Sequence, residues 1–282
     1  MKIKSGLVRL WATLSCALTV GLILFIFIYI FAKGAPAITW EFLTERPKGL
    51  IIGTEGGIAP AIVGSLYYTT IACIFAAILG ISTAVFQVFY CKSEKLSSGI
   101  SLVMQCMAGV PSIVMGLFGY SLMVLSFGWG KCILAGGITQ GIMILPFIQV
   151  RAEKALREAD MNLVKASYAL GVSRSHTVRK IVLPQSLPQL ISGVILGACY
   201  AMGAAAPLIF TGAVIMSKVP KSIMKPSMAL PNHLHTLLTQ GVAPENAYGT
   251  AFVLMIVVLL AIRSRGQGCT IASMSLQAFP NC

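Results

Sequence analysis

Six stretches of the chain run without a charged side chain for long enough to cross a bilayer: Leu10–Ala32, Gly56–Cys91, Leu96–Gly130, Cys132–Val150, Gln185–Ser217 and Asn246–Ile262. A transmembrane helix needs about 20 mostly apolar residues. Only 10% of the residues are charged and 57% are hydrophobic, against about 25% charged in a soluble domain. Such a chain lacks the polar side chains to cover a water-facing surface. In lipid, backbone polar groups must be paired within the protein, so the spans are expected to be helices. The sequence therefore predicts an all-α membrane protein with six transmembrane helices. Several runs exceed what a bilayer requires, so part of each is expected to be loop or tilted helix, and Pro111 and Pro207 interrupt two of them.

Leu10–Ala32 follows Lys2, Lys4 and Arg9, the flank of a secretory signal, but a signal core has only about 7–15 apolar residues. The longer run reads as a retained span. With the N-terminus inside, 14 of the 21 Lys and Arg fall on the cytoplasmic side and 7 outside. The positive-inside bias places both termini in the cytoplasm and makes Arg151–Pro184 the largest cytoplasmic loop. The net charge of +13 then reads as a topology signal; no basic stripe with interleaved aromatics points to nucleic acid. The chain divides into residues 1–55 (first span and outer loop), 56–262 (core) and 263–282 (a short tail, expected to be irregular).

Several chemistries find no support. The 8 cysteines are scattered without a CxxC and read as packing residues. No residue cluster suggests a metal, and no phosphate-binding glycine loop is present, so ATP hydrolysis is not expected of this chain. No carboxylate lies inside a predicted span, which disfavours a proton-coupled carrier. His176 is expected to be solvated. His233 and His235 are expected on the surface of an outer loop. Lys218, Lys221 and Lys225, on the same side, either meet an acidic partner face or are simply solvated.

The wettest segment, Lys165–Pro184, sits between two spans. Met161–Leu170 places apolar residues at 161, 163, 164 and 168, on one helical face. Gly171 suits a left-handed cap, Ser173 and Ser175 suit the start of a second helix, and Pro184 can open the next span. Two readings are open for this helix: docking into a groove of a soluble partner, or lying on anionic lipid heads.

The same segment resembles the cytoplasmic loop signature of ABC importer permeases, in which Glu-Ala-Ala, three residues, Gly, nine residues and Ile-x-Leu-Pro follow one another. Lys165, Ala166 and Ser167 fill the first position, Gly171 follows, and Ile181, Leu183 and Pro184 close the motif with complete spacing. Ala61–Leu66, Gly109–Phe118 and Ala206–Thr211 resemble segments of phosphate importer permeases of the PstA type, and the likeness extends over about residues 53–262. The resemblance implies a type I ABC importer permease fold, with 151–184 carrying the coupling helix. It implies a second permease subunit, two ATPase subunits that bind ATP-Mg, and an extracytoplasmic phosphate-binding protein. No cofactor is implied for this chain, and its function would be to pass phosphate by alternating access. Sulfate, molybdate or tungstate is the alternative cargo.

Candidate residues of the path are Pro111, Ser112, Gly203, Pro207 and Thr211. At Pro111–Ser112 a restarting helix could aim backbone N–H groups at an anion, or the proline could merely kink the span. At Gly203 close helix packing competes with a backbone-lined route. Two departures stand out. Lys165 replaces the Glu of the family signature. Relatives also often carry Gly-Glu-Thr-Ala-Pro-Leu with an Arg one turn earlier, where this chain has Ala204, Ala205 and Tyr200. The sister permease then supplies the cation, or the route is looser, or the anion differs.

Overall fold

A computed structural model describes residues 2–48, 53, 55–241 and 243–277, with side chains from residue 9 through residue 264. The first helix, α1 (Lys2–Gly34), leads through a single 3-10 turn into the short α2 (Trp40–Thr44) and a two-residue antiparallel pair, β1 (Pro47–Lys48) with β2 (Glu55–Gly56). The helices α3 (Ala59–Val85), α4 (Glu94–Ala108), α5 (Ser112–Gly119) and α6 (Ile133–Arg157) follow. Next come α7 (Met161–Ala169), α8 (Arg174–Thr177), α9 (Leu183–Gly203), α10 (Ala206–Thr211), α11 (Leu230–Gln240) and α12 (Pro244–Gln277). Wider π-turns extend α3 through Tyr90 and α5 through Ser126, and join α8 to α9.

Among the described residues, five helical segments are long and apolar enough to span: Arg9–Ala37, Ala59–Tyr90, Ile133–Arg157, Arg174–Gly203 and Pro244–Ser264. The sixth predicted span is not one rod. It is the pair Glu94–Ala108 and Ser112–Ser126, bent by 98°. The pair nevertheless runs the length of the bundle. It starts where Ser97 and Ser101 bond to Gln87 near the end of α3, and it finishes where Met123 packs on Cys132 and Ala135 at the start of α6.

The centre of the bundle is the α3–α6 contact, and small residues make it possible. Gly64, Ala72, Ala76, Gly80 and Ala84 recur at multiples of four along α3 and are buried. Residues four apart share a helix face, so they form one flat stripe. Across it, a Cβ added to Gly137 of α6 would lie 2.7 Å from Ile71 Cβ, and one added to Gly80 would lie 3.3 Å from the Gln149 nitrogen. Between helices in lipid there is little hydrophobic drive, so association depends on such close van der Waals packing. Tyr68 on the same stripe is fully buried and donates its hydroxyl to Gly212 O at 2.7 Å, pinning the segment after α10 to α3.

α1 stands apart. Its apolar side chains are exposed, as for a helix bathed in lipid, and it meets the rest through α12, by Tyr29 on Tyr248 and Phe31 on Phe252.

Two expectations are corrected. The tail after Ile262 is helical, because α12 continues to Gln277; Gly266 and Gly268 weaken a helix by only about 1 kcal/mol each, and no proline occurs before Pro280. The outer segment 226–244 is not loop surface: it contains α11, laid against α3 and α12, with Leu230 and Leu237 buried.

Ala76→Leu should force the central stripe apart. We expect a loss of about 1–3 kcal/mol or more, read as a lower thermal unfolding midpoint in detergent, while Ile78→Leu on the exposed face of α3 leaves it unchanged.

Candidate functional site

Helix is interrupted at two places, and the helices that restart there pack on each other. The first follows α4. Proline disfavours helical geometry in the residue before it, and here Pro111 takes an extended ψ of 136° before α5 restarts at Ser112. The break is complete rather than a kink, so α5 begins with first-turn amides that lack intrahelical acceptors. Pro111 is exposed and Ser112 half-buried at this edge.

The second interruption follows α9, where Ala204 is extended and α10 restarts with Pro207 in its first turn. Lipid offers no water to the carbonyls released there. Two buried amides provide the donors instead. Gln140, in the middle of α6, donates to Ala201 O at 3.0 Å and Ala204 O at 3.3 Å. Asn232 of α11 donates to Ala205 O at 3.2 Å. α10 then packs on α5 so closely that a Cβ on Gly116 would lie 3.0 Å from both Ala206 O and Pro207 Cα.

The predicted path residues therefore occupy different surroundings. Pro111, Ser112 and Gly203 border open space, and nothing lies within 4 Å of a Cβ built on Gly203. Pro207 is buried against α5, and Thr211 is fully buried with its hydroxyl bonded to Pro207 O at 2.7 Å. Tyr200 is exposed and stacks on Phe147 at 4.9 Å. Gln140 and Asn232 were not singled out in the sequence; an uncharged amide in the charge-free run Cys132–Val150 was the available signal for the first.

At the opposite end of the molecule, α7 is capped by Asp160, whose carboxylate accepts from the Asn162 amide at 2.9 Å. Gly171 ends the helix with φ +77°, the left-handed conformation that other residues adopt only at a cost. The chain then reverses, and Ser167 Oγ meets Thr177 Oγ1 at 2.9 Å, tying α7 to α8. Val164 is buried with Ala155, Leu156, Val178 and Val182. Arg174 donates to Phe89 O at 2.8 Å and Ser186 to Ala155 O at 3.3 Å, so the element is fastened to the ends of α3 and α6.

Three local expectations change. The apolar residues of α7 do not share one inward face: Val164 points in, while Met161, Leu163, Tyr168 and, after the helix, Leu170 are exposed beside Lys165. Ser173, not Ser175, is the cap of α8. Pro184 lies in the first turn of α9, as expected, but the helix does not start afresh there, because Arg174–Gly203 is one continuous segment. Proline lacks the amide that would bond to Lys180 O, and the five-residue π-turn Val178–Val182 absorbs the defect. Ala166 is exposed, and Ile181, Leu183 and Pro184 are half-buried in this turn.

A polar network lies just above it. Gln149 donates to Gln87 at 2.8 Å and to Glu153 at 3.3 Å, and Glu153 pairs with Arg157 at 2.9 Å. His233 also departs from expectation. It is buried in α11, and burial pushes its imidazole down to about 4. Among the described residues no cluster of His, Cys, Asp and Glu could hold a metal ion.

Membrane-length apolar helices, one pair of them bent at a break, define a polytopic membrane protein. Residues 74–268 match the family described as binding-protein-dependent transport system inner membrane component. The chain belongs to this family: it is a multi-pass membrane permease component of an ABC importer. It is 31% identical to the probable ABC transporter permease protein YqgI of Bacillus subtilis, over 92% of this chain and 91% of that one. It is 29% identical to the probable phosphate transport system permease protein PstA of Methanocaldococcus jannaschii, covering 83% and 82%. The fold is that of type I importer permeases. A chain of the inward-facing MetNI methionine ABC transporter superimposes with a TM-score of 0.63 at 17% identity, over 75% of this chain and 94% of that one. A chain of the bacterial alginate ABC transporter gives 0.63 at 12% identity, over 91% and 93%.

Two measurements check this geometry. Gln140→Leu leaves the Ala204 carbonyl without its donor, and we expect about 1–3 kcal/mol of destabilisation, read by thermal unfolding in nanodiscs. For His233, folding holds the neutral form, so the unfolded chain takes up a proton first as pH falls. Stability should therefore decline as pH drops from 6.5 towards about 4, and His233→Gln should flatten that decline.

Proposed function

We propose that this chain is one of two different permease subunits of a phosphate importer, with residues 56–262 forming the core and 151–184 the loop that engages the motor. The observation that carries the assignment is the Met161–Thr177 element. A capped helix, a left-handed glycine and a second helix are bolted to α3 and α6, while Leu170 remains 83% exposed. An apolar side chain so exposed at the end of a rigid projection suits insertion into a groove of another protein. Lys165, Ala166, Ser167, Gly171, Ile181, Leu183 and Pro184 are assigned to this coupling.

Two ATPase subunits bind beneath, hold ATP-Mg and hydrolyse it. Both termini are cytoplasmic, and an extracytoplasmic phosphate-binding protein delivers the anion to the other face. The cycle of the motor shifts the permeases between inward- and outward-open states as rigid bodies. Pro111, Ser112, Gly203 and Pro207 border the path, where backbone amides at the start of α5 replace part of the water around the anion. Thr211 contributes by holding α10. Phosphate is favoured by the names of relatives such as the Methanocaldococcus jannaschii and Mycobacterium leprae permeases, the latter 30% identical over 91% of this chain. Sulfate, molybdate or tungstate is the second reading, supported by the uncharged Tyr200 and Ala204.

Reconstitution in liposomes with the partner subunits tests both readings. Labelled phosphate should be taken up in preference to sulfate and molybdate; the reverse preference would reassign the cargo. Gly171→Leu should reduce ATP-driven uptake more than tenfold without loss of membrane insertion, since a left-handed bulky residue costs about 1–2 kcal/mol and misdirects the docking helix. Lys165→Glu should change ATPase stimulation by less than about tenfold, or 1.4 kcal/mol, if the groove reads shape rather than charge.

A further inference from the structure

Beyond the path at the helix breaks, the outer end of the chain has a cavity that no step described so far uses. It measures about 290 Å³ and is lined in part by Lys131, Asn232, His233, His235 and Thr236, at the small end of ligand sites, which run from roughly 300 Å³. We propose that this cavity is a reception site for a small oxyanion, occupied before the anion reaches the helix breaks. The proposal rests on the oxyanion-import reading above.

Two observations carry it. First, the lining is rich in donors. The Lys131 ammonium gives one N–H to Ile209 O at 3.3 Å, which leaves two for the cavity. Two imidazoles add to it. Second, its charge is uncompensated. Among the described residues Lys131 has no acidic partner. No Asp or Glu occurs between Asp160 and Glu245, while Lys218, Lys221 and Lys225 lie in the same outer segment. A ligand that supplies only acceptors and negative charge fits such a lining, and a cation does not.

The cavity is also joined to the path. Asn232 lines it and at the same time holds the Ala205 carbonyl at the second helix break. Ile209, whose carbonyl receives Lys131, belongs to α10, the helix packed on α5. An anion drawing Lys131 and Asn232 together would therefore act directly on the segment that separates the two breaks.

His235 is exposed at this cavity and His176 is exposed at the far end of the molecule, which provides a probe and an internal control. The test uses the full transporter, assembled from this chain and its partner subunits in nanodiscs, and diethyl pyrocarbonate modification of the two histidines followed by mass spectrometry. Inorganic phosphate, compared with chloride at equal ionic strength, should slow modification of His235 but not of His176. At about twice the dissociation constant the slowing is about threefold. Lys131→Gln should abolish the protection and Lys131→Arg should retain it.

Equal rates in phosphate, sulfate, molybdate and chloride would overturn the site, as would protection that survives Lys131→Gln. Phosphate uptake by the same preparation separates the two readings. Uptake without protection removes the site and leaves the permease assignment standing. Protection without phosphate uptake removes phosphate as cargo and leaves the site. If Lys131→Gln fails to assemble, protection in the unaltered chain and in Lys131→Arg decides the matter.

Discussion

The bonds from Gln140 and Asn232 to the carbonyls of Ala201, Ala204 and Ala205 are what permit this chain to be more than a sheaf of rods. An exposed peptide carbonyl in hydrocarbon is costly. A helix in lipid can stop only where something else supplies donors. Two uncharged amides do so here without placing a charge in the bilayer, and α10, which restarts beyond the break they sustain, packs on α5 at Gly116. Because each amide comes from a different helix, the opening at Ala204 depends on the register of three elements rather than on its own sequence.

That register is set by the small-residue stripe of α3. Gly80 and Ala76 bring α6 close enough to fix its depth, and Gln140 rides on α6 at that depth. Gln149, about two and a half turns further along, meets Gln87 near the α7–α8 end of the molecule. One helix thus carries a polar group at the break and another close to α7 and α8, and both positions follow from how α6 seats on α3.

The membrane spans could be read from charge-free runs, because lipid imposes length and composition directly on a sequence. Gly171 was legible for a similar reason: a glycine after a short amphipathic stretch suits a left-handed turn. The divided face of α7 was not. Apolar residues at 161, 163, 164 and 168 look alike in sequence, and only the docking of Val164 under α8 separates inside from outside. The 98° bend and the buried α11 were equally hidden. Proline marks where a helix can stop, but the angle beyond it depends on packing against α10, and α11 is held both by the neighbouring α12 and by α3, where Leu230 N–H donates to Ser65 Oγ 165 positions away. His233 shows the limit plainly, since a histidine between an asparagine and a leucine carries no sign of its burial.

The π-turn at Val178–Val182 has a mechanical consequence. It runs α8 into the long helix behind it, so Arg174–Gly203 is one helical segment of 30 residues, about 45 Å at 1.5 Å per residue. One tip is held by Arg174 on Phe89 O and the other ends at the extended Ala204. The two ends of the molecule are thus joined by helix rather than by loop, with Pro188 inside α9 the position where the backbone ladder lacks a bond.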